Sequence, residues 1–133
     1  MFSNKIVTDK SLLHRKSAPY EFNDDHHPDL LSAHIKKMVK ENNAFGISGV
    51  QFNYPFRVFG IYTTDSKFEV LFNPELVSIA DETLVSDDEG CLSFPDLILK
   101  IKRPKSIVVR YQNEDQEWIS NQLDGYYARG FLH

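Results

Sequence analysis

From Phe56 onward the sequence breaks into short runs rich in β-branched and aromatic residues, each bounded by polar or proline-containing bends. Such runs are too short for stable helices and carry the composition of strands. Residues 57–63 and 68–72 read as strands joined by the Thr64-Asp65-Ser66 turn, with Asn73-Pro74 expected to break the second. Residues 75–80 and 83–86 suggest a further pair bent around Asp81-Glu82. Residues 97–101, 107–111 and 118–123 follow, and the charged stretch Asn113-Glu114-Asp115-Gln116 reads as the hairpin bend between the last two. Ahead of all these lies one good helical pattern. The fold class expected is therefore α+β with a mostly antiparallel sheet.

That helix spans residues 29–43. Leu30, Leu31, Ala33, His34, Ile35, Met38 and Val39 recur near a helical period, while Lys36, Lys37, Lys40 and Glu41 take the other face. Pro28 suits a first turn, Asp24 or Asp25 could cap it, and Asn42-Asn43 is a plausible stop. His34 is expected at the edge of the core, and His26 and His27 in solvent at the helix start. Residues 1–28 are otherwise irregular, save for a short helical turn at 11–15. A chain of 133 residues with 41% hydrophobic and 26% charged side chains makes one domain with a real core. A net charge of −4 without a basic stripe argues against a DNA or RNA partner. No apolar run approaches the roughly 20 residues that span a bilayer, and the first residues have no apolar signal region. A single cysteine forbids an intrachain disulfide and fits a reducing, cytoplasmic setting.

That cysteine carries the chemistry. In Asp87-Asp88-Glu89-Gly90-Cys91-Leu92-Ser93 the neighbouring carboxylates would raise a thiol's pKa and make it a poor nucleophile. A bound cation reverses that logic by deprotonating a coordinating thiol, so Cys91 is a candidate metal ligand. A second segment, Ala44-Phe45-Gly46-Ile47-Ser48-Gly49-Val50-Gln51, sets small residues just after the helix. It lacks the Gly-Lys-Ser/Thr of a phosphate loop. It is either a plain helix–strand turn or a place where another backbone or a ligand comes close. Gln51 is a neutral amide able to donate to a developing negative charge. At the other end, Asp124 looks like an N-cap for a helix over 125–133, on which Tyr126, Arg129, Gly130 and His133 share a face.

Helix, glycine-rich segment with Gln51, Glu89-Gly90-Cys91-Leu92-Ser93 and helix with His133, in that order, resemble the peptide deformylases. The pentapeptide matches the family's second motif in full. The segment 46–51 is similar to the first motif, with Ser48 and Gly49 where the family has two alanines. Of the third motif, His-Glu-x-x-His, the chain carries the first residue, His133. The resemblance covers nearly the whole chain as a single deformylase-like domain, 1–133, that lacks the end of this motif. It implies a sheet packed around the His133 helix and removal of the N-formyl group from the initiator methionine of nascent polypeptides. It implies one divalent metal held by Cys91 and His133, with Fe(II) first and Zn, Ni or Co as alternatives. Gln51 and the backbone N–H of Leu92 would bind the oxyanion. Substrate would lie extended along Phe45, Gly46 and Gly90, with Tyr126, Arg129 and Gly130 walling the methionine pocket. Glu89 would pair with Arg103, and Asp87, where the family tends to be apolar, would shift substrate preference. The partners implied are formyl-Met N-termini and the ribosome, with no DNA and no membrane, and the protein a monomer. Without the Glu and second His of the third motif, the chain as written is expected to bind metal weakly and to turn over little.

Two other readings stay open. One is a deformylase-like module that grips extended peptides by strand addition without catalysis. The other is a small α+β protein whose Cys91 is an ordinary buried thiol.

Overall fold

The computed structural model describes residues 2–23, 27–62, 67–81, 83–85, 89–91, 94–99, 102–124, 128 and 131, with the backbone alone over 83–85, 89–91, 94–99 and 102–103. A one-turn helix α1 (Lys10–Leu13) is capped by Asp9, whose Oδ1 accepts from Ser11 N at 2.8 Å. The main helix α2 (Pro28–Glu41) has proline in its first turn, as expected. Its N-cap is His27, exposed and without a side-chain capping bond, so the cap is not an aspartate. Asn42 closes it, its Nδ2 donating to Met38 O at 2.8 Å.

Among the described residues nine strands follow: β1 (Gly46–Ser48), β2 (Val58–Tyr62), β3 (Phe68–Ile79), β4 (Thr83–Val85), β5 (Glu89–Cys91), β6 (Phe94–Leu99), β7 (Lys102–Pro104), β8 (Ser106–Gln112) and β9 (Trp118–Asp124). Five of them form an antiparallel sheet in the order β1-β2-β3-β8-β9, and β4-β7 and β5-β6 make two separate antiparallel pairs. The α+β class expected from the sequence is therefore what folds. The bend at 113–116 joins β8 to β9 as a hairpin in register from Gln112↔Trp118 to Ser106↔Asp124.

Two expectations are corrected. Asn73-Pro74 does not end a strand: β3 runs through it, with a register shift against β8 between Phe72 and Glu75. A bulge lets a strand pass a residue that cannot join its ladder. Residues 75–80 do not pair with 83–86, because the second half of β3 lies on β8 and β4 lies on β7. Asp124 is the last residue of β9, and the helix start it was expected to cap lies outside the described residues. Beyond it Ala128 and Phe131 are helical, and the rest of 125–133 lies outside the described residues.

Around β2 and the first half of β3 the sheet is covered on both faces, while the second half of β3 is exposed. Val58 and Phe72 look toward α2 and pack with Leu31, Ile35, Met38, Val39, Ile47, Phe52 and Tyr20. Ile61 and Leu71 look the other way and pack with Ile107, Val109, Tyr111, Leu123 and Ala128. That explains why β2 reads as an unbroken apolar run, Val-Phe-Gly-Ile-Tyr, without polar alternation. The amphipathic stripe of α2 supplies one cover, and Ala128 and Phe131 contribute to the other.

Asn73 ties the N-terminal segment to this sheet. Its backbone is left-handed (φ 51°), a conformation asparagine tolerates better than most residues. Its Oδ1 accepts from Tyr20 N at 2.7 Å, while Nδ2 donates to Tyr20 O at 3.0 Å and to Gln112 Oε1 at 2.8 Å. Asn73 N also donates to Arg57 O at 2.9 Å, and an Arg57 Nη2 donates to Pro74 O.

Candidate active site

Leaving α2, the chain passes Asn43 (φ 50°) and Ala44, whose N–H returns to Val39 O at 3.0 Å. It then enters β1 at the end of the five-stranded sheet. Gly46, Ile47 and Ser48 pair with Ile61, Gly60 and Phe59 of β2. No described strand pairs with the other side of β1. Gly46 is needed here by the protein's own packing, since a Cβ would come within 2.7 Å of Gly60 O and 2.6 Å of Ile61 Cγ2. Of the two readings of this segment, the close approach of another backbone is the one that folds, and β2 makes it.

After β1 the chain turns sharply into a 3-10 turn, Gly49–Phe52, that carries Gln51. Gly49 cannot take a side chain: a Cβ would stand 2.5 Å from Tyr54 O and 3.1 Å from Phe56 O. Gly49 O accepts from Tyr54 N at 2.9 Å, and Asn53 leaves the turn left-handed (φ 60°). Within the turn, Ser48 and Gln51 form a reciprocal capping box. Gln51 Oε1 accepts from Ser48 N at 3.0 Å and from Ser48 Oγ at 3.3 Å. With the carbonyl end of the amide given to these donors, its other end is the NH2, a donor. The backbone is held as well, since Gln51 O accepts from Val7 N at 2.7 Å.

An aromatic group backs the turn. Phe52 stacks on Tyr54 at 6.0 Å and meets His34 edge-on at 5.2 Å, and Phe2 packs against both His34 and Tyr54. His34 Nε2 lies 2.9 Å from Ser3 O, so this histidine is a core-edge fastener of the N-terminal segment, as its place in the helix pattern suggested. Burial holds the Tyr54 phenol above the usual tyrosine range. Phe45 packs on Tyr62 with ring centroids 5.9 Å apart.

The other sequence-marked residues are placed unequally. Gly90 and Cys91 end β5, opposite Ile98 and Phe94 of β6, with a register shift between them. Such a bulge re-aims the side chain beside it. The side chains of Glu89, Cys91 and Arg103 are outside the description, as are Asp87, Leu92, Tyr126, Arg129, Gly130 and His133 altogether. Among the described residues no three His, Cys, Asp or Glu groups gather in a way that could hold a metal ion. A thiolate and an imidazole, the donor types of Cys91 and His133, are soft to borderline ligands suited to Zn, Fe, Ni or Co. The sequence marks Ser48 only as standing in place of an alanine, although its spacing to Gln51, Ser-x-x-Gln, is the capping-box pattern.

The class of protein this defines is an α+β domain that presents an oriented carboxamide beside an end strand, with a cysteine closing a second strand pair. The profile of the polypeptide deformylase family matches residues 3–133. A peptide deformylase of Thermotoga petrophila is 33% identical over 136 aligned positions, which cover 100% of this chain and 79% of that protein. Peptide deformylase 2 of Clostridium acetobutylicum is 31% identical over 127 positions, covering 96% of this chain and 83% of that one. The crystal structure of peptide deformylase from Thermotoga maritima superposes with a TM-score of 0.89 and 28% identity, over 100% of this chain and 88% of that chain. The chain belongs to the polypeptide deformylase family. Among the described residues no helix is long and apolar enough to cross a membrane.

Proposed function

We propose that this protein is a metal-dependent hydrolase that removes the formyl group from the N-terminal formyl-methionine of nascent polypeptides. Family membership together with the held carboxamide of Gln51 carries this reading. The substrate peptide adds as an extended strand to the side of β1 away from β2, with Phe45 and Gly46 on one flank and Gly90 on the other. Gln51 Nε2 and the backbone N–H of Leu92 donate to the formyl oxygen as charge builds on it. Donors fixed in advance stabilise that charge without reorganising during the reaction. Cys91 and His133 would hold the divalent metal, Fe(II) by preference, which when bound would polarise the formyl carbonyl and lower the pKa of water. Tyr126, Arg129 and Gly130 wall the methionine side chain. The protein works as a monomer in the cytoplasm, on chains emerging from the ribosome.

The test uses the protein expressed from its own gene, purified without oxygen and supplied with Fe(II) or Ni(II). Release of a primary amine from a formyl-Met peptide is expected from a protein that also supplies the Glu and second His of the third motif, with loss of both metal and turnover on Cys91→Ser, and little release from residues 1–133 alone. Tight binding of the peptide without turnover would overturn the enzymatic reading. It would leave a module that captures extended N-termini through the end strand β1.

A further inference from the structure

We propose that the Ser48 hydroxyl is a positioning residue that immobilises the Gln51 carboxamide for oxyanion binding. The inference rests on the reading of Gln51 given above and adds a residue to it. Three observations converge. First, Ser48 Oγ lies 3.3 Å from Gln51 Oε1 while the Ser48 N–H reaches the same oxygen at 3.0 Å. The N–H can only donate, so it selects which end of the amide points inward. The hydroxyl adds a second point of attachment, which hinders swinging of the side chain about the first. Second, the capping box makes the same hydroxyl oxygen the acceptor for the Gln51 backbone N–H. One serine thus grips both the backbone and the side chain of Gln51. Third, this grip depends on how tightly the turn closes. Gly49 permits that closure, because any side chain there would strike Tyr54 O at 2.5 Å.

Ser48 and Gly49 therefore act together. Where the motif they resemble has two alanines, this chain has a smaller residue to tighten the turn and a hydroxyl to fasten what the turn carries. An alanine at 48 would keep the N–H contact and lose the other two. The amide would keep its sense and lose rigidity, which costs transition-state binding more than ground-state binding.

The experiment compares wild type, Ser48→Ala and Ser48→Thr by 15N relaxation of the Gln51 side-chain amide, a readout that does not depend on turnover. The order parameter of Gln51 Nε2 is expected to fall in Ser48→Ala and to recover in Ser48→Thr. An unchanged order parameter in Ser48→Ala overturns the proposal. In parallel, Ser48→Ala should lower kcat for a formyl-Met peptide about two- to tenfold, the range of one neutral hydrogen bond, with KM unchanged. Introduced into Gln51→Ala, it should do nothing more. A loss of the same size in both backgrounds also overturns the proposal, since Ser48 would then act other than through Gln51. Gln51→Ala with unchanged kcat would instead overturn the oxyanion role of Gln51, while the relaxation data still decide whether Ser48 holds it.

Discussion

Replacing Asn73 by alanine should destabilise the fold by about 3–5 kcal/mol. Alanine deletes three hydrogen bonds, those to Tyr20 N, Tyr20 O and Gln112 Oε1. Tyr20 is 3% exposed and Gln112 is 8% exposed, so the abandoned groups do not simply return to bulk water. At about 1 kcal/mol net for each bond, the hydrogen bonds account for roughly 3 kcal/mol. Alanine must also hold a φ of 51°, where a Cβ without a local polar partner costs about 1–2 kcal/mol. Asn73→Gly separates the two contributions, since glycine loses the same bonds and relaxes the backbone. It should be the more stable of the two variants by about 1 kcal/mol. Urea unfolding followed by both far-ultraviolet circular dichroism and fluorescence gives the free energies, provided the two probes agree. An Asn73→Ala variant within about 1 kcal/mol of wild type would show that water replaces the side chain and refute the reasoning. Equal stabilities for the glycine and alanine variants would refute the strain contribution alone. Typical domains hold about 5–15 kcal/mol, so this one side chain commands a large share.

Other outcomes follow from the same geometry. Ile35→Ala, which empties a fully buried position between α2 and the sheet, should cost about 2–5 kcal/mol in the same unfolding assay. Gly49→Ala should disturb the turn through contact with Tyr54 O, lowering stability by about 1–3 kcal/mol and kcat with it; a neutral result would mean that the turn opens freely. Gln51→Ala should lower kcat by about 10²–10³, the usual cost of one oxyanion donor, with less effect on KM. Burial raises the phenol pKa values of Tyr20, Tyr54 and Tyr111. The folded protein therefore keeps protons that unfolded tyrosines release near pH 10, so this contribution is complete below about pH 10 and fades as pH rises beyond it. Urea midpoints that fail to fall above about pH 10, with phenolate absorbance as the titration monitor, would contradict it.

Local chemistry along the chain determined a good deal by itself. The α2 stripe of Leu31, Ile35, Met38 and Val39, its proline start and its asparagine end are all read from neighbours within a turn or two and fold as written, whereas Leu30 and Ala33, counted with the stripe, are exposed. The β8–β9 hairpin likewise follows from two apolar runs and the polar bend between them. The family could be recognised because Glu89-Gly90-Cys91-Leu92-Ser93 and the 46–51 segment are contiguous. Contacts between distant residues were decided only in the tertiary structure. Asn73-Pro74 looks like a strand end because proline and a left-handed residue break a local ladder. The strand continues because Tyr20 and Gln112, 53 and 39 residues away, satisfy the Asn73 side chain. β4 pairs with the Lys-Arg-Pro strand β7 and not with the apolar second half of β3, a choice that strand propensity would not make. The glycines of the first motif left open a plain turn or a close approach, and the fold brings β2 and Tyr54 O close to them. The grip of Ser48 on Gln51 needed both levels: the Ser-x-x-Gln spacing lies in the sequence, but the closure of the turn that brings the two together is a property of the packed chain.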